Sequence, residues 1–192
     1  METKLFYKEE WLKLAKSGNF KSAEILYYEK LFPEILDTFH SKYNHLFGND
    51  EVLISILGFS PEPIILTAKA VNPKTHYILT TESKGEVVKI IENFLDDEFN
   101  LVILKDISFL TIYKSLKEIL FDVNDSNIVL DITGGKKSMV SAASIFGKDY
   151  GCKITYVDFE EYIKELRKPM PGSEILNIVY DPERDQPELF LK

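Results

Sequence analysis

The sequence predicts an α/β fold, a Rossmann-like and mostly parallel sheet with helices on both faces, carrying an N-terminal helical extension. Three observations predict it. Short apolar, β-branched runs recur at residues 52–57, 76–80, 101–104, 128–132 and 153–159, the composition of strands buried on both faces. Stretches of helical period at 64–71, 86–95, 109–121 and 136–150 fall between and after them, so the chain reads βα four times over, the order that builds parallel sheets. Residues 1–48 instead repeat Ala23, Leu26, Tyr27, Leu31, Ile35, Leu36 and Phe39 at helical spacing. The expected division is a helical extension over 1–48, a Rossmann-like domain over 49–181 and a polar tail over 182–192.

Taken in order, Ser17-Gly18-Asn19 separates a first helix from a second, and Pro33 predicts either a kink or two helices. The helical face is aromatic (Trp11, Phe20, Tyr27, Tyr28, Phe32, Phe39, Phe47). It either packs on the domain's own sheet or forms a partner surface. The strand at 52–57 ends in Gly58-Phe59-Ser60-Pro61-Glu62-Pro63, with Pro63 suited to a first helical turn. Ser60 then sits at the carboxyl end of a strand, where open α/β sheets put ligands; a helix cap is its plainer role. Thr80, Thr81 and Glu82 follow the next strand, and Thr133 follows the strand of Asp131. All these strand ends are expected along one edge. The segment 168–174 is a proline-rich turn into a last strand, 175–180, expected to pair antiparallel, and the tail is expected to add no further element.

The most informative stretch is Asp131-Ile132-Thr133-Gly134-Gly135-Lys136-Lys137-Ser138. A helix start carries partial positive charge and free N–H groups, so two lysines there call for an anion nearby. Adjacent glycines suit a turn whose amides approach a ligand, and phosphate is the expected anion; Gly135→Val is expected to block that approach. A Walker A loop is excluded, because position 130 is Leu and Lys136 is followed by Lys137 rather than Ser or Thr. A dinucleotide fingerprint fails for want of a third glycine in register.

Composition sets bounds. The 192 residues are 45% hydrophobic and 28% charged, ordinary for a soluble domain. No apolar run approaches the ~20 residues that span a bilayer, and no signal-peptide core is present, so a cytoplasmic protein without membrane contact is expected. Cys152 stands alone and is expected to be a buried structural thiol; His40 and His45 are too loosely placed for metal ligands. No metal or cofactor is expected. The net charge of −8 argues against a broad DNA footprint, so an anionic ligand has to be held by a local pocket.

Residues 58–63, the 130–139 stretch and Arg167-Lys168-Pro169-Met170-Pro171-Gly172-Ser173-Glu174 together resemble a CRISPR-associated Rossmann-fold (CARF) domain over about residues 50–180. The resemblance implies a cyclic oligoadenylate sensor of type III CRISPR antiviral signalling, tetra-adenylate first and hexa-adenylate second. It implies a homodimer with the ring across its two-fold axis, contacted by Gly58, Phe59, Ser60, Thr80, Thr81, Glu82, Asp131, Thr133, Gly134, Gly135, Lys136, Lys137 and Ser138. A controlled effector is then expected beyond Lys192, in a partner, or in the helical extension. The alternative the resemblance allows is a stand-alone ring nuclease, with Ser60 and Lys137 as catalytic residues for metal-independent 2′-OH attack giving a 2′,3′-cyclic phosphate. An unrelated nucleotide or phosphosugar enzyme is disfavoured by the missing glycine fingerprint.

Overall fold

The computed structural model describes residues 5–81, 85–95, 99–123 and 127–186. Helices α1 (Lys8–Lys16), α2 (Phe20–Leu26) and α3 (Phe32–Tyr43) come first, followed by β1 (Val52–Ile56), α4 (Glu62–Val71), β2 (Thr75–Thr80) and α5 (Glu86–Leu95). Then come β3 (Asn100–Ile103), α6 (Phe109–Val123), β4 (Ile128–Asp131), α7 (Lys137–Asp149) and β5 (Lys153–Phe159). A hairpin of β6 (Tyr162–Ile163) and β7 (Lys168–Pro169), strand β8 (Glu174–Tyr180) and short helix α8 (Pro182–Asp185) complete the described chain.

Six strands form one sheet in the order β3-β2-β1-β4-β5-β8. The first four pairings are parallel, and β8 runs antiparallel to β5. Strand order reverses between β1 and β4: the chain winds outward from β1 to β3, then returns to β4 on the other side. That reversal is the topological switch point, where neighbouring loops part and leave a crevice.

Alternation along β1 divides the core. Val52, Ile54 and Ile56 join the cluster beneath α6 and α7, with Leu116, Ala143 and Phe146, whereas Leu53 packs with Ala68 and Val71 of α4. Cys152 is a buried free thiol in the first of these clusters. The N-terminal helices belong to a third cluster, in which Trp11, Phe32 and Phe39 join Ile64 and Leu66 of α4, Ile91 of α5 and Leu176 of β8. Their apolar stripe is therefore spent on the domain itself, although Phe20 stays exposed.

Pro33 is accommodated by a change of helix type. Residues Tyr27–Leu31 form a π-helical turn, after which α3 starts with Pro33 in its first turn, where its missing N–H is harmless. Phe32, at the junction, is fully buried. It stacks on Tyr27 at 5.4 Å and meets Phe94 of α5 edge-on at 5.1 Å.

Two expectations are corrected. The proline-rich segment, expected as a turn, begins with β7, which pairs back on β6 in a hairpin too short to carry a periodic signal. The tail begins with a helix, because the Asp181 side chain accepts from Glu183 N and Pro182 fits the first turn.

Replacing Phe32 with Ala is expected to cost about 3–5 kcal/mol, read by urea denaturation. Because the N-terminal helices share a core with α4 and α5, loss is expected in one cooperative transition rather than as a separate early phase.

Candidate functional site

The loops after β1 and β4 flank the switch point, and they touch through backbone. A Cβ on Gly58 would lie 2.8 Å from Gly135 N; one on Gly134 would overlap the Ile56 carbonyl and lie 2.8 Å from Gly58 N. Gly135 has φ +84°, and a Cβ there would strike the Ile56 side chain. The glycines are thus required for two loops to close on one another and for a left-handed turn. The expectation that Gly135→Val blocks a phosphate changes accordingly: its side chain would disrupt the loop contact itself.

Beneath these loops runs a string of buried polar groups. Asp131, 0% exposed, accepts through Oδ1 from Thr133 N (3.0 Å) and Thr133 Oγ1 (2.5 Å). Thr133 Oγ1 in turn accepts from Val157 N at 2.8 Å, which ties the β4 loop to β5. Ser55 Oγ lies 3.0 Å from His76 Nε2. Burial pushes the Asp131 carboxyl up to about 6, against hydrogen bonds from Thr133 and the nearby hydroxyls of Ser55 and Thr67. Thr67 is beyond hydrogen-bond length, since its Oγ1 and Asp131 Oδ2 have no partner. Burial also lowers His76 to about 3, so the imidazole is held neutral.

Above the loops is a cavity of about 660 Å³, within the roughly 300–1,000 Å³ usual for ligand sites. Of the residues the sequence singled out, Gly58, Phe59, Ser60, Thr133, Gly134 and Gly135 line it. Phe59 is 96% exposed and Ser60 is exposed beside it. Thr80 ends β2 and Thr81 follows it on the same sheet edge, neither among the residues that line the cavity, and Glu82 lies outside the described residues. Asp131 is interior and acts on the loop rather than on the cavity. Lys136, Lys137 and Ser138 are exposed at the start of α7, outside the cavity lining. Neither lysine has a carboxylate within 4 Å among the described residues.

Other residues complete the wall. Arg167 and Lys168, from the β6–β7 hairpin, supply its cations. Tyr27 and Tyr28 come from the π-helical turn, Glu62 from the first turn of α4 and Glu174 from the start of β8. Tyr28 Oη donates to Glu62 Oε1 at 2.8 Å. Gly172 N donates to Glu174 Oε2 at 2.8 Å, yet burial pushes Glu174 up to about 7. Burial and the neighbouring carboxylates raise both tyrosines above the usual phenol range. The Pro-rich turn and the aromatic helical face signalled two of these groups in sequence. Nothing local signalled that Glu62 and Glu174 converge.

No protein-family model matches the chain. The chain is similar to the CRISPR system endoribonuclease Csm6 of Thermus thermophilus, 26% identical over 184 residues, covering 91% of this chain. It spans only 39% of that relative's length. Can2 from Sulfobacillus thermosulfidooxidans, solved in complex with cyclic tetra-adenylate, superposes with a TM-score of 0.51 at 22% identity, over 56% of this chain and 32% of Can2. A Vibrio cholerae protein gives a TM-score of 0.50 at 9% identity, over 56% of this chain and 30% of its own. These structural likenesses establish the fold.

The buried acid predicts a pH signature. With its native value above the ordinary 3.8, Asp131 contributes stability that is complete below about pH 4 and lost as the pH rises to about 6. His76 works oppositely, losing stability as the pH falls below about 6.5. Asp131→Asn is therefore expected to gain about 1–3 kcal/mol relative to wild type between pH 4 and pH 7, measured by urea unfolding at both.

Proposed function

We propose that the chain is a CRISPR-associated Rossmann-fold (CARF) protein that binds a cyclic oligoadenylate with the loops that follow β1 and β4. The observation that carries this reading is the roughly 660 Å³ cavity at the switch point, lined by residues 58–60 and 133–135. The fold shared with Can2, whose solved complex contains cyclic tetra-adenylate, makes that ring the first choice and hexa-adenylate the second. A homodimer fits the ligand, because a two-fold axis presents one patch twice to a ring with rotational symmetry. The cation set supports phosphate binding at the rim: Arg167 and Lys168 line the cavity, and Lys136 and Lys137 stand at the N-terminus of α7 on the same sheet edge.

We favour a sensor controlling an effector, in the chain's continuation or in a partner, within cytoplasmic type III CRISPR antiviral signalling. The relative is an endoribonuclease of which this chain spans 39%, consistent with output lying elsewhere. Ring cleavage is the second reading, favoured by the exposed Ser60 at the cavity. There the Ser60 hydroxyl would orient the ribose for 2′-OH attack, and a rim cation would offset charge on the phosphorane. Lys137 lies outside the cavity wall, which weakens its part in that chemistry.

Incubation with cyclic tetra- and hexa-adenylate in EDTA, with products resolved chromatographically, tests both. Intact ring co-eluting with the protein is the expected result. Linear products ending in a cyclic phosphate, lost in Ser60→Ala, would establish the nuclease. Failure to bind either ring would overturn the ligand assignment. Lys136→Ala combined with Lys137→Ala is expected to weaken binding roughly 3- to 10-fold at low salt, and less at 1 M salt, where the Debye length falls to about 3 Å.

A further inference from the structure

The cavity holds a recess of acids. Its cations, Arg167 and Lys168, are exposed on the hairpin side, and the acid Glu24 on α2 is exposed too, whereas Glu174 is only 9% exposed and Glu62 is half-buried next to Tyr28. A phosphate cannot sit beside two acids without large repulsion. A neutral heterocycle can, and one bearing an amine finds acceptors there. Trp11, Tyr27, Leu66 and Val157 supply apolar wall for its faces.

We infer, resting on the cyclic oligoadenylate reading above, that this recess reads the base: Glu62 and Glu174 accept hydrogen bonds from the exocyclic amine of adenine. The N-terminal helices are then part of the binding site. Tyr28 holds the Glu62 carboxylate by its 2.8 Å hydrogen bond, and the Gly172 amide holds that of Glu174. Each carboxylate offers about four lone-pair sites, so one such bond leaves acceptor capacity for the ligand. The π-helical turn that carries Tyr27 and Tyr28 is the device that brings them to the wall, in keeping with the frequent use of such turns at functional sites.

The same arrangement discriminates. A 6-oxo purine presents a carbonyl oxygen where adenine presents its amine, so above about pH 8, where Glu174 is ionised as well as Glu62, two acceptors face a third, and the comparison is made there. The test compares cyclic tetra-adenylate with cyclic tetra-inosinate on wild type, Glu62→Gln, Glu174→Gln and Tyr28→Phe, with melting curves to verify folding. Wild type is expected to prefer the adenylate ring roughly 10- to 100-fold, the worth of one charge-assisted hydrogen bond. Either glutamine variant is expected to narrow the ratio by binding the inosinate ring more tightly, because an amide can rotate to donate. A destabilised fold cannot produce that gain. Equal binding of the two rings by wild type, or a ratio unchanged in both glutamine variants, overturns the inference while leaving the ligand reading intact. Binding of neither ring overturns the ligand reading and this inference with it.

Discussion

Everything at the functional edge depends on two backbone segments being allowed to touch. Gly58 and Gly134 meet where β1 and β4 part, with no room for a Cβ on either side. Parallel strands at a switch point send their connections to opposite faces, so the loops would ordinarily diverge and leave a cleft. Here they converge at their base and enclose the floor of a cavity instead. The contact is backed by Asp131, which fixes Thr133, which fixes the amide of Val157. A carboxyl sealed from water is costly. Its hydrogen bonds to a single turn hold that turn in one conformation.

The remaining walls are recruited from far along the sequence. The N-terminal helices contribute a π-helical turn, α4 an acid in its first turn, and the β6–β7 hairpin two cations. Charge is sorted within this small volume although the whole chain carries −8. The two cations are exposed, and two of the three carboxylates, Glu62 and Glu174, sit in the recess while Glu24 stays outside it. Such sorting suits a ligand that is itself divided into a charged backbone and neutral bases.

The sheet was legible because strands buried on both faces must be continuous apolar runs, and 52–56, 128–132 and 153–159 are such runs. The loops at their carboxyl ends were legible for the same reason: once strands are parallel, their ends share an edge. What could not be read was convergence. The pair Gly134-Gly135 signals close approach but not of what, and the answer was Gly58 and Ile56. Lys136 and Lys137 advertised an anion, yet side-chain direction at a helix start depends on how that helix leaves the turn. Asp131 interrupts an apolar run, and sequence does not say whether a polar residue at a strand end points inward or out. The π-helical turn has no periodic signature, because one extra residue resembles the scatter of any short helix.

That extra residue has a rotational meaning. Each residue in an α-helix advances its neighbours by about 100°, so widening one turn between α2 and α3 sets the two helices out of phase. Phe32 and Phe39 can face the core of α4 while Tyr28 turns toward Glu62. Winding all five residues of 27–31 as plain α-helix would swing Phe20–Leu26 through most of a right angle about its axis, whereas deleting one of them as the turn tightens would keep α2 and α3 in phase. Length here acts as an angle.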